Sequence, residues 1–116
     1  MAQNNNKDNN IYLLLMLDAF VKIKSYINTM SYEDFSKDNK TQSAVIMQLQ
    51  VVGELAKKVP VEMKSIIDLP WKNMAGFRDM ISHDYFGLDL STVWYTIEKS
   101  VPKAETELQR YVDSTK

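Results

Sequence analysis

Apolar residues return every three or four positions along almost the whole chain, and only three glycines and three prolines interrupt them. No stretch alternates apolar and polar residues for long enough to make a half-buried strand. That pattern restricts the chain to an all-α fold. At 116 residues it predicts one domain, able to bury about two-thirds of its extended surface in a single core.

The same periodicity places the helices. A first helix from about Asn10 to Asn28 carries Leu13, Met16, Leu17, Phe20, Ile23 and Ile27 as its core stripe. Leu14 and Val21 extend its apolar surface to a second face. Ser31 to Asp34 resembles a capping box that opens a short turn or helix. Asp38 or Asn39 caps a long helix to about Lys58, where Pro60 stops it. Its inward row is Val45, Gln48, Leu49, Val52, Leu55 or Ala56, and Val59. Gly53 stands inside that helix at a cost of roughly 1 kcal/mol relative to alanine, which predicts a close approach by another helix. After a short segment from Val61 to Ile67, Pro70 and Trp71 open a fourth helix with Met74, Phe77 and Ile81 inward. This helix is expected to fray between His83 and Gly87. Asp89 caps a last helix bearing Val93, Ile97, Val101, Ala104, Leu108 and Val112, which Pro102 should kink. The expectation is an antiparallel bundle of four to five helices over residues 11–116, behind a disordered polar leader over residues 1–10.

Composition removes several classes of chemistry. With no cysteine, disulfides and thiolate catalysis are excluded, and the usual zinc sites lose their main ligands. The leader lacks the basic and apolar blocks of a signal peptide. The apolar run from Ile11 to Leu17 meets Asp18 far short of a membrane span. A soluble, cytoplasmic protein without a membrane partner is therefore expected. A net charge of −1 argues against a general nucleic-acid binder but allows a nuclease whose basic groups gather at its active site. Met16, Met47, Met63, Met74 and Met80 are read as core filler.

The chemistry-bearing stretch is Arg78-Asp79-Met80-Ile81-Ser82-His83-Asp84-Tyr85, which holds the single histidine of the chain. A guanidinium matches phosphate oxygens in bidentate fashion. An imidazole can both take and give a proton near neutral pH. The tyrosine offers a hydroxyl that can bond to phosphate or be modified. On an ideal helix Tyr85 lies about 20° from Arg78, whereas His83 lies about 140° away. Arg78 and His83 can converge only if the helix ends or bends near Ser82, or if a phosphate bridges groups from two chains. Plainer roles also exist. His83 can serve the carbonyls at a helix C-terminus, and Arg78 can pair with Asp79, Asp84 or Glu54. Asp79 either orients Arg78 or His83 or is a solvated helix residue. Glu54, followed by Lys58 four residues on, reads as a structural helix pair, and Phe86 reads as a packing aromatic.

The Arg-x4-His-x-Tyr signature resembles the HEPN superfamily, in particular its HepT-like ribonuclease toxins. The resemblance runs from about residue 11 to 112. Its landmarks are Val52 to Lys58, then Leu69-Pro70-Trp71, then Arg78 to Phe86, then Asp89 with Val93-Trp94. It implies a HEPN helical bundle and a metal-independent endoribonuclease, a homodimer with a composite cleft. Arg78 and His83 would be catalytic, with Asp79 and Tyr85 supporting them. It implies RNA as substrate rather than DNA, a 2′,3′-cyclic phosphate product, and no metal or other cofactor. It also implies a minimal nucleotidyltransferase antitoxin as partner, which would silence the toxin by transferring AMP to the motif tyrosine, here Tyr85. The alternative within the same family is a non-catalytic subunit that binds nucleotide or substrate for a nucleotidyltransferase.

Overall fold

The computed structural model describes residues 5–116, with side chains from Asn10 onward. The described chain is all-α, with no strand among these residues. In order come α1 (Asn5–Ile27), α2 (Tyr32–Ser36), α3 (Asn39–Lys58), α4 (Val61–Ile66), α5 (Trp71–His83) and α6 (Leu90–Tyr95). A π turn (Thr96–Ser100) then joins α6 to α7 (Val101–Ser114).

The helix ends obey local chemistry. Asn28 takes a left-handed φ of 40°, a conformation that asparagine tolerates, and so stops α1. Ser31 and Asp34 form a reciprocal capping box at α2. Asp38 caps α3 by accepting from the Thr41 amide at 3.0 Å. Asp89 accepts from the Ser91 amide at 2.9 Å and starts α6. Pro102 has no N–H to donate, and just before it the Val101 amide reaches five residues back, to Thr96 O. The expected kink is thus absorbed as one wide turn in a helix that runs over 90–114.

α1 packs on α3 and α7, and α3 packs on α5. Asn10 Nδ2 donates to Thr115 Oγ1 at 2.8 Å and Lys24 pairs with Glu105 at 3.0 Å, so α1 and α7 run antiparallel. The predicted stripes meet in one core: Leu13, Met16, Phe20 and Ile23 against Val45, Leu49, Val52 and Ala56, closed by Ile81, Val93, Ile97, Val101, Leu108 and Val112. Met47 and Met80 are exposed and so are not core filler, unlike Met16 and Met63.

One boundary differs from the expectation. α1 begins at Asn5, inside the stretch read as a leader, and buried Asn10 bonds to Thr115 just past the far end of α7. The remaining leader positions, 1–4, lie outside the described residues.

Two aromatic anchors set the position of α5 and of the helix that follows it. Trp71 is buried and its indole N–H donates to Ile67 O at 3.0 Å, pinning the first turn of α5. Trp94 stacks on Phe35 with ring centroids 5.2 Å apart and meets Tyr32 edge-on at 6.1 Å, joining α6 to α2.

Candidate active site

Gly53 fixes where α5 crosses α3. A Cβ there would collide with Arg78 Cβ and come within 2.9 Å of Met74 O. Only a hydrogen at this position lets the backbones approach so closely, and the root of Arg78 is planted directly on α3. From that root the Arg78 Nε forms an ion pair with Glu54 Oε1 at 3.1 Å, and Nη1 lies 3.5 Å from Asp79 Oδ1. Lys57 Nζ donates to the same Asp79 oxygen at 2.7 Å. The hydrogen bond from Lys57, backed by the charges of Lys57 and Arg78, holds the Asp79 carboxyl below its ordinary value despite some desolvation.

One expectation changes here. Glu54 pairs with Arg78 and not with Lys58, because the Gly53 contact brings the guanidinium to the neighbouring residue on α3. Of the two roles open to Asp79, its contacts favour the orienting one: at 49% exposure its carboxylate bridges Lys57 and Arg78. The Arg78 side chain stays 35% exposed. Surface ion pairs of this kind add little stability, so an incoming phosphate can exchange for a carboxylate at small cost.

α5 remains helical through His83, and the Asp84 amide still donates to Met80 O at 3.0 Å. The helix therefore does not loosen at Ser82. His83 keeps its phase of about 140° from Arg78 and a rise of about 7.5 Å along the axis. It is exposed and makes no hydrogen bond or ion pair among the described residues. On this unbroken helix the two side chains leave α5 in different directions.

Tyr85 lies beyond the helix end and is 43% exposed. Its hydroxyl sits 3.5 Å from Ser43 Oγ on α3, at the outer limit of a hydrogen bond. Ser43 and Glu54 stand eleven residues apart on that helix, about 16 Å of axis. The expected placement of Tyr85 on the face of Arg78 is therefore not found, because α5 ends two residues before it. Arg78 and Tyr85 instead contact α3 about three turns apart.

The chain after His83 is a stapled turn. The Gly87 amide donates to both Asp84 O (3.2 Å) and Asp84 Oδ1 (3.1 Å), and Leu88 N–H donates to Tyr85 O at 3.3 Å. A side chain at Gly87 would run into the Asp84 carboxylate. This turn throws Phe86 outward, 98% exposed, against the expectation that it packs. Its ring meets Tyr85 edge-on, with centroids 5.5 Å apart.

The surrounding surface is open. An apolar cavity of about 440 Å³ lies on the other flank of α5, lined by Phe20, Met74, Phe77 and Val101 among others. A second, shallower one lies between α1 and α7. Neither includes a motif residue. Among the described residues no three His, Asp or Glu side chains gather as a metal-holding group, and no helix is long and apolar enough to cross a membrane.

Sequence reasoning did not single out Lys57 or Ser43. Lys57 was findable, since it lies three positions after Glu54 on the same helix face. Ser43 carries no such signal, because its relation to Tyr85 exists only once α5 has docked.

The family model described as ribonuclease HepT-like matches residues 16–111. A Thermococcus cleftensis protein named probable ribonuclease HepT is 34% identical over 100 residues, covering 85% of this chain and 91% of that one. A Methanocaldococcus jannaschii protein named as a putative RNase is 35% identical over 107 residues, covering 91% and 88%. A Caldanaerobacter subterraneus protein, also named as a putative RNase, is 34% identical over 91 residues, covering 78% and 81%. No solved structure matches the chain. An all-α bundle whose α3–α5 seam carries the Arg-x4-His-x-Tyr motif thus coincides with a match along most of the chain, and the protein belongs to the ribonuclease HepT-like family.

Proposed function

We propose that the protein is a metal-independent endoribonuclease, the toxin of a pair whose antitoxin is a minimal nucleotidyltransferase. The observation that carries this is the pairing of an exposed His83 with an Arg78 rooted on Gly53, in a family whose named relatives are ribonucleases. The two groups diverge on α5, which favours a two-fold homodimer whose facing motifs supply both sides of one cleft. Arg78 exchanges Glu54 or Asp79 for the scissile phosphate and stabilises the charge that develops there. His83 takes the proton of the RNA 2′-hydroxyl. The 2′ oxygen bonds to phosphorus, the bond to the 5′ oxygen breaks, and that oxygen takes a proton from His83 of the partner subunit. The products are a 2′,3′-cyclic phosphate and a 5′-hydroxyl. The antitoxin transfers AMP from ATP to the Tyr85 hydroxyl with release of pyrophosphate, and the adduct blocks the surface around His83.

The test is cleavage of RNA by purified wild-type, Arg78→Ala and His83→Ala proteins. Each substitution should reduce the rate by about two orders of magnitude or more, as loss of a proton-transfer or charge-stabilising group does. Undiminished cleavage by either variant would remove that residue from the mechanism.

A further inference from the structure

Phe86 is the most anomalous side chain of the described surface. A phenylalanine exposed at 98% leaves a large apolar area in water. It is not on a loose loop. Both Asp84 acceptors hold the Gly87 amide, Leu88 bonds back to Tyr85, and Gly87 permits the closure. The Tyr85 ring meets Phe86 at an interplanar angle of 77° and steadies it, while the Phe86 side chain stays open to solvent. The ring stands three residues after His83. Its chain neighbours Ser82, His83, Asp84, Gly87 and Asp89 are exposed and polar or without a side chain. A protein-binding surface needs a contiguous apolar patch, whereas a two-ring cluster of Phe86 and the half-exposed Tyr85 among polar neighbours suits a flat aromatic ligand with a polar rim.

We infer that Phe86 is a stacking platform for an unpaired base of the RNA next to the scissile phosphate, which makes single-stranded RNA the substrate. The inference rests on the ribonuclease activity proposed above and names its substrate class. Stacking on an aromatic side chain is how proteins hold splayed-out RNA bases, and it tolerates any base because every base has a π-face. A base-paired duplex keeps its bases stacked inside and cannot use the ring.

The probe is a fluorescein-labelled single-stranded oligoribonucleotide, with a fully paired RNA duplex as its control. Binding is read by anisotropy in a His83→Ala background that leaves the RNA intact. Phe86→Ala should weaken binding of the single strand by about tenfold and leave the duplex unchanged, whereas Phe86→Trp should retain or improve it. In proteins with His83 intact, Phe86→Ala should raise KM for the single strand more than it lowers kcat. Because the side chain is almost wholly exposed, the fold does not depend on it. Equal single-strand affinity for Phe86→Ala and the parent would overturn the inference while leaving the ribonuclease standing. So would a change of oligomeric state in Phe86→Ala by sedimentation, which would make the ring a protein contact. If the wild type cut no RNA, the ribonuclease proposal would fail, and the anisotropy experiment would still decide for or against base stacking.

Discussion

Arg78 and Tyr85 show how differently neighbouring residues are decided. Arg78 owes its position to the hydrogen at Gly53 and its direction to Glu54 and Asp79. Tyr85 is positioned by the end of α5, and its hydroxyl is held only by a 3.5 Å approach to Ser43. An acceptor of AMP must offer its oxygen to another protein's active site, and a half-exposed ring with one weak partner can do so. Incubation with the proposed nucleotidyltransferase partner and ATP should therefore add one AMP to Tyr85 by peptide mass spectrometry, and cleavage should fall in proportion. Adducts only on Tyr95 or Tyr111 would contradict this. The sequence displayed the motif residues in full, since an arginine, the lone histidine and a tyrosine at fixed spacing are local facts. It did not display the outward turn of Phe86, because a lone aromatic after a helix usually packs, and only the Asp84–Gly87 closure reverses that.

Among the elements, the seam between α3 and α5 matters most. Helix interiors penalise glycine by roughly 1 kcal/mol, so Gly53 announced a close approach before any partner was known. That partner proved to be α5 at Met74 and Arg78. Gly53→Ala sets a propensity gain of about 1 kcal/mol against overpacking that typically costs about 1–3 kcal/mol. Because one of the colliding atoms is the Met74 carbonyl of a packed backbone, the cost should win. Urea denaturation should show a net loss of stability of about 1 kcal/mol, with cleavage reduced because Arg78 is displaced; a more stable, fully active variant would contradict the seam's role. Caps and stripes were legible here, as at Ser31, Asp38 and Asp89. The π turn was not, because a proline in a helical pattern signals a disturbance without saying whether the chain bends or widens.

At the scale of the whole molecule, the geometry leaves work for a second copy. Arg78 and His83 lie about 140° apart around an unbroken helix, and each chain brings one histidine to the proposed reaction, which needs a base and then an acid. α1 adds an exposed apolar face at Ile11, Leu14 and Leu15. Sedimentation equilibrium should report a two-fold dimer at micromolar concentration, and a stable monomer would remove the composite cleft. The claim beneath all of this is that RNA is cut by its own 2′-hydroxyl under proton transfer from His83. The most direct measurement is the identity of the RNA 3′ end formed by the wild-type protein in EDTA, read by mass spectrometry beside His83→Ala. The account predicts 2′,3′-cyclic phosphate ends from the wild type and no cleavage by the variant. Ends carrying a 3′-hydroxyl, or cleavage abolished by EDTA, would contradict it.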